Sequence, residues 1–314
     1  MKKIYYITAV FATLFLVGCG DGIDLPGVNV ETDLNKIPLP DNNVNLEQVE
    51  LKSSTEPMLH EGLHTEEDFQ RIRDKKAAGE EPWISAYQLL VESQFSQKTA
   101  DTYPTEWIKR GISGDENYMN AARGATIVYQ QALRWKIEQD DEYAAKAVEN
   151  LNKWVQTCVG VTGNTNLSLA AGLYGYEFAI AGELLRDYGG WDRADFAAFQ
   201  NWLLKVFYPA NDDFLKRHHD TNALHYWANW CLCNIAAKMA IGIVTDRRDI
   251  YNEGIAHLQT GDTNGRLRRA IYHDYAPDYN FAQWQESGRD QGHTLMCVGL
   301  MGVICQLAWS QGDD

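Results

Sequence analysis

Three groups of side chains in this 314-residue chain have types and spacings suited to moving a proton beside an anion. The first is Asn222, His225 and Asn229, with Tyr226 and Trp230 between and beyond them. Residues 215–243 contain no proline, carry one glycine near the end, and repeat their apolar residues with helical periodicity. That pattern predicts one long helix. On it, Asn222, His225 and Asn229 fall at i, i+3 and i+7 and share a face, with Tyr226 and Trp230 as an aromatic stripe beside them. Facing a core, such polar groups need partners. Facing a carbohydrate, they are donors next to stacking platforms. A satisfied buried polar ladder among ordinary core aromatics produces the same pattern.

The second group is Glu286, Arg289 and His293, again at i, i+3 and i+7 if a helix starts near Glu286. A glutamate fixes the guanidinium, and the histidine joins the same pocket. A structural salt bridge with a capping histidine is the alternative. Gly288 and Gly292 weaken a helix and suit close approach of a backbone or ligand. The third group joins Arg266, Arg268 and Arg269 to Tyr272, Tyr275 and Tyr279 in one loop. A nearby positive charge favours the phenolate and lowers a tyrosine pKa from about 10. For any single residue in this loop, a solvated basic turn with surface tyrosines is the better explanation.

Together these groups fit β-elimination on a polyuronate. Removing the proton beside a carboxylate requires that the carboxylate charge be neutralised, which Asn, His or Arg donors do electrostatically. A Tyr or His then takes the C5 proton, and a Tyr or His protonates the leaving oxygen. The chemistry requires no metal or other cofactor. A metal site from His225, His293 and Glu286 lacks the spacing of a metal motif such as His-Glu-x-x-His. Weaker candidates are Asn164 and Asn166 before a helix, Tyr174 and Tyr176 as stacking or core residues, and His218 and His219 as a basic patch beside Lys216 and Arg217.

The elements that must position these residues are helical. Thr65 is a predicted N-cap, Gly79 closes the first helix and Pro82 opens the next. Further helices are predicted over 117–137, 141–158, 167–188, 195–207, 249–260 and 294–309, with a loop over 97–114 and a polar turn over 160–166. Strand-like alternation is almost absent. Helices of this length with short connections imply antiparallel neighbours. The expected fold is all-α: an α/α toroid, or incomplete barrel of antiparallel helix pairs, over residues 56–314. A tetratricopeptide-like array is second, since no fixed repeat period appears. An apolar helix followed almost at once by Gly312-Asp313-Asp314 suggests a domain incomplete at its C-terminus.

The N-terminus reads as a bacterial lipoprotein leader. Lys2 and Lys3 precede a short apolar run, and Leu16-Val17-Gly18-Cys19 is a lipobox that makes Cys19 the residue to be lipidated. Residues 1–19 are therefore the expected signal segment and 20–55 a tether. Export to the periplasm or outer membrane, anchored by lipid, follows. The formal charge of −15 becomes −17 once Lys2 and Lys3 leave. So acidic a protein is a poor nucleic-acid binder, and an acidic substrate must be met by local cationic clusters. The other five cysteines (Cys158, Cys231, Cys233, Cys297 and Cys305) read as small buried hydrophobes rather than a disulfide framework.

Leu63-His64-Thr65-Glu66-Glu67-Asp68, Gly79-Glu80-Glu81-Pro82-Trp83, Tyr226-Trp227-Ala228-Asn229-Trp230 and Thr245-Asp246-Arg247-Arg248-Asp249 together resemble the alginate lyase superfamily of α/α-toroid polysaccharide lyases, over about residues 60–314. The run 285–293 resembles a branch found in exported bacterial proteins. The resemblance implies an Asn/His pair that neutralises the substrate carboxylate, an Arg, and a Tyr that serves as acid and base. The chain departs from the family pattern at two points. The pattern is Asn-Asn-His, one residue, then Tyr-Trp; here Asn222-Ala223-Leu224-His225 precedes Tyr226, so the histidine is displaced by one. Glu286 and Arg289 match Glu-x-x-Arg, but the pattern's Tyr, seven residues on, is Met296. The proton-moving tyrosine must then come from elsewhere, with Tyr279 and Tyr275 first and Tyr226 third. A glycan-binding lipoprotein without catalysis, or a glycoside hydrolase on the same toroid using Glu286 and Asp290, are the alternative readings.

Overall fold

The computed structural model describes residues 50–275 and 282–313. Helix α1 (Glu66–Ala77) starts where the sequence demands. Thr65 accepts from the Asp68 amide while the Asp68 carboxylate accepts from the Thr65 amide, a complete capping box. Helix α2 (Trp83–Glu92) follows Pro82. Strand β1 (Trp107–Arg110) leads into α3 (Tyr118–Glu138) and α4 (Asp141–Thr157), whose N-cap is Asp140. Strand β2 (Gly160–Gly163) precedes α5 (Leu167–Leu185). Then come α6 (Arg193–Val206), α7 (Tyr208–Arg217), α8 (Ala228–Val244) and α9 (Arg248–Thr260). A short α10 (Leu267–Ala270), strands β3 (Ile271–Asp274) and β4 (Ala282–Trp284), and α11 (Gln291–Ser310) complete the described chain.

The helices form two layers. Helices α3, α5, α8 and α11 lie side by side as the inner layer; α4 backs α3, α7 backs α8 together with α9, and α6 bridges α4 and α7. This is the layered arc of an α/α toroid, as the helix lengths and loops predict. Inner helices α5 and α8 run parallel. Near their starts Asn234 donates to the Ser168 carbonyl at 3.2 Å, and at their ends Arg186 donates to the Val244 carbonyl at 2.9 Å. They pack closely because residue 172 is glycine: a Cβ there would stand 2.5 Å from Cys233 Sγ. Near the start of α3, Tyr118 stacks on Tyr174 of α5. The end of α11 is tied to the start of α9 through Asp313, which accepts from the Tyr251 hydroxyl at 2.7 Å. The inner helices therefore begin at one end of the arc, and the loops that precede them gather there. Helix N-termini carry partial positive charge, so this end favours anions.

The core between the layers is aromatic. Trp154, Phe178, Phe199 and Phe207 are fully buried and Trp202 almost so, with Trp154 donating to Thr102 Oγ1 at 2.5 Å. Four of the five described cysteines are buried as expected, whereas Cys305 is exposed on α11. Three regions read as loop or turn contain short strands. β1 pairs with β2 in parallel, Trp107 opposite Gly160 through Arg110 opposite Gly163, and β3 pairs with β4 antiparallel. Strands of three or four residues are too short to show alternation.

Candidate active site

The long helix expected from Leu215 is broken. Helix α7 ends at Arg217, and His218, His219 and Asp220 all take left-handed backbone conformations, with φ of 49°, 53° and 57°. Three consecutive non-glycine residues in that region are strained and must be held by their surroundings. The Thr221 hydroxyl donates to the His218 carbonyl at 2.6 Å, and His219 Nε2 lies 3.0 Å from the hydroxyl of buried Ser168, one residue into α5. Asn222 Oδ1 then accepts from the Leu224 amide at 2.8 Å, closing a local turn that competes with helix. Helix resumes only at Ala228. Asn222, His225 and Asn229 thus do not share a helical face. Asn222 and His225 are exposed on the loop, while Asn229 is buried in the first turn of α8, its Oδ1 without a partner among the described residues.

The aromatic stripe survives as a cluster. The Tyr226 ring is buried and meets His225 at 4.9 Å, His219 at 5.7 Å, Trp230 at 4.6 Å and Phe214 at 5.2 Å between centroids. Two imidazoles therefore flank one phenol. His218, next to His219, is buried, and that burial pulls its pKa below the ordinary histidine range.

The loop is pinned from the other side. Asn264 donates to the Leu224 and Tyr226 carbonyls at 3.0 and 2.8 Å. Gln285 accepts from the Ala228 amide at 3.1 Å and donates to Asn264 Oδ1 and the Arg269 carbonyl at 3.0 and 2.8 Å. The residue after Gln285 is Glu286, so the first and second sequence groups meet here.

The second group is likewise not one helical face. Glu286 has φ of 66°, and α11 starts at Gln291 with Asp290 as N-cap. Glu286 and Arg289 do pair, Oε1 to Nη1 at 2.8 Å, within a tight turn. The Glu286 side chain is fully buried and Arg289 is half exposed, so the cation faces outward from a fixed base. Cys297 Sγ lies 3.8 Å from Glu286 Oε2. His293 turns instead to Asp290, Nδ1 to Oδ2 at 2.7 Å. That contact, with the His293 amide bond to the same carboxylate, holds Asp290 below the usual carboxylate pKa.

Among the tyrosines of the third group, Tyr275 donates to Gln283 Oε1 at 3.1 Å and packs edge-on against His273, within the β3–β4 hairpin. Tyr272 is exposed. Tyr279, like Cys19, lies outside the described residues. Asn164 Oδ1 accepts from the Asn166 amide and side chain at 2.9 Å each, just before α5. Tyr174 and Tyr176 are buried, and burial pushes both phenols above their ordinary pKa. Among the described residues no group of three or more His, Cys, Asp and Glu is placed to hold a metal. The sequence reading gave no role to Ser168, Asn264 or Gln285, which position the loop. A hydroxyl or amide that acts through a distant backbone leaves no periodic signal.

The alginate lyase family model matches residues 72–314. Among solved structures, alginate lyase A1-III from Sphingomonas species A1 matches with a TM-score of 0.54 at 12% identity, covering 81% of this chain and 72% of that one. At that identity the likeness speaks for the fold. No curated protein matches the chain. The family match spans both groups of residues that meet at the open end of the arc, and on it the chain belongs to the alginate lyase family, as a polysaccharide lyase on an α/α toroid.

Proposed function

We propose that this lyase cleaves alginate or a related polyuronate by β-elimination at the end of the arc where the inner helices begin. The observation that carries the reading is the joining of loop 222–228 to turn 285–289 through Gln285, which accepts from the Ala228 amide and directly precedes the Glu286–Arg289 pair. Asn222, Asn229 and Arg289 neutralise the uronate carboxylate, and helix N-termini add to that field. A group of the His225–Tyr226 pair takes the C5 proton. The electron pair forms the C4–C5 double bond, the C4–oxygen bond breaks, and a proton from the same pair reaches the leaving oxygen. Asn166 and Trp230 contact the sugar. Tyr275 and His293, each engaged by a neighbour, stay outside the proton path in this reading.

The test is absorbance at the ultraviolet edge during incubation with alginate, polymannuronate, polyguluronate and glucuronan. A rise on at least one polymer is expected. Chain cleavage whose products lack the double bond would sink elimination in favour of hydrolysis, and tight binding without cleavage would leave only a glycan binder. The leader adds a separate expectation: export and lipidation at Cys19 place the lyase on a membrane, facing its polymer. Cys19→Ala should move it from the membrane fraction to the soluble one; an unchanged distribution removes the anchor.

A further inference from the structure

Arg110 is a cation that the reading above leaves unused. It ends β1, where its backbone is fixed against β2: Gly163 opposite it has φ of 147°, and a Cβ there would stand 1.7 Å from the Arg110 carbonyl oxygen. The side chain is half-buried, and its guanidinium lies 4.7 Å above the centre of the Tyr118 ring. Tyr118 in turn stacks on Tyr174, with ring planes 10° apart. The next residue, Gly111, lies against Asn164, just before α5, so the guanidinium sits near the starts of α3 and α5.

Its electrostatics are unusual for this protein. The chain has 43 acidic against 28 basic residues, and buried arginines elsewhere have carboxylates: Arg134 with Glu138, Arg186 with Glu183, Arg248 with Asp313. Arg110 makes no ion pair or side-chain hydrogen bond among the described residues, and its Nη1 is fully buried without a partner. The two acids that follow it most closely in sequence are engaged elsewhere. Asp115 pairs with Lys109 at 2.6 Å, and Glu116 accepts from the Gly111 amide at 2.5 Å. A desolvated donor left unpaired costs free energy that a cation–π contact only partly offsets. A carboxylate is the group a guanidinium fork fits best.

We propose that Arg110, over the stacked Tyr118–Tyr174 pair and next to the Gly111–Asn164 contact, is a second anion-binding site of the cleft, taking the carboxylate of a hexuronate ring other than the one being cleaved. The site rests on the polyuronate reading and deepens it. The guanidinium reads the charge of the ring it meets, so the site selects charged over neutral rings along the chain.

The experiment measures binding of a mannuronate trisaccharide and of its carboxyl-reduced, neutral counterpart to the full chain, read from tryptophan fluorescence within seconds of mixing. The wild type should prefer the uronate by about tenfold or more. Arg110→Gln should shrink the uronate-over-neutral ratio by about tenfold while keeping the neutral affinity, leaving only the preference that Asn222, Asn229 and Arg289 supply, and Arg110→Lys, a point charge without the fork, should fall between. A wild-type preference retained by Arg110→Gln overturns the site. So does a wild type without preference, and so does an equal loss for both sugars, which would make Arg110 structural. The unsaturated product scores the lyase separately: no product with an Arg110-dependent preference leaves this site standing and removes elimination.

Discussion

Tyr226→Phe is expected to lower kcat on the preferred polyuronate by about 10²–10⁴-fold, the range for loss of a positioned acid or base, with KM and melting temperature close to wild type. The substitution removes one hydroxyl and keeps the ring that packs on Phe214, Trp230 and both imidazoles. A rate loss of that size is about 3–5 kcal/mol of transition-state stabilisation. His225→Ala should lose a similar factor. The double variant should be scarcely worse than the poorer single one, because an acid and a base that serve one proton path fail together. Steady-state kinetics by ultraviolet absorbance decide it. If Tyr226→Phe turns over at the wild-type rate and Tyr279→Phe does not, the proton-moving tyrosine belongs to the third sequence group and His225 must be reassigned with it.

That prediction differs from the one the sequence alone supports, and the reason is physical. Helix ends governed by local chemistry were legible: the Thr65 N-cap, Pro82 at the start of α2, the start of α4 at Asp141. The α/α-toroid class followed from helix length and loop length. Residues 215–230 were misread because nothing in them forbids a helix. Propensity is worth only tenths of a kcal/mol per residue. The tertiary bonds from Ser168 and Asn264, with the local turn at Asn222, outweigh it. The Asp220-Thr221-Asn222 cluster was a turn signal that the surrounding apolar periodicity masked. The Glu286–Arg289 contact was legible, though for another reason than supposed, since residues three apart also meet across a tight turn. Arg110 was invisible as a site because its isolation is a property of the fold.

Gln285→Ala should be the most damaging single change away from the reacting groups. Its side-chain amide is buried and satisfies three partners: the Ala228 amide at the open start of α8, Asn264 Oδ1 and the Arg269 carbonyl. Truncation leaves all three without that partner. At about 1–3 kcal/mol for each unsatisfied group, discounted because water can enter the gap, the loss is roughly 3 kcal/mol. For a domain of this size that lowers the melting temperature by about 6–12 °C. Activity should fall further than stability explains, because the same amide aligns loop 222–228 with Glu286. kcat is expected to drop by at least about tenfold at temperatures where the variant is fully folded. Arg289→Ala makes the useful contrast. Its guanidinium is half exposed, so its loss should cost kcat about 10²–10³-fold while moving the melting temperature less than Gln285→Ala does. Thermal melts and kinetics on both variants separate the scaffold from the charge. A Gln285→Ala enzyme as stable and as fast as wild type would mean that loop 222–228 holds its shape without the second group, and the joining of the two groups would lose its claim to define the site.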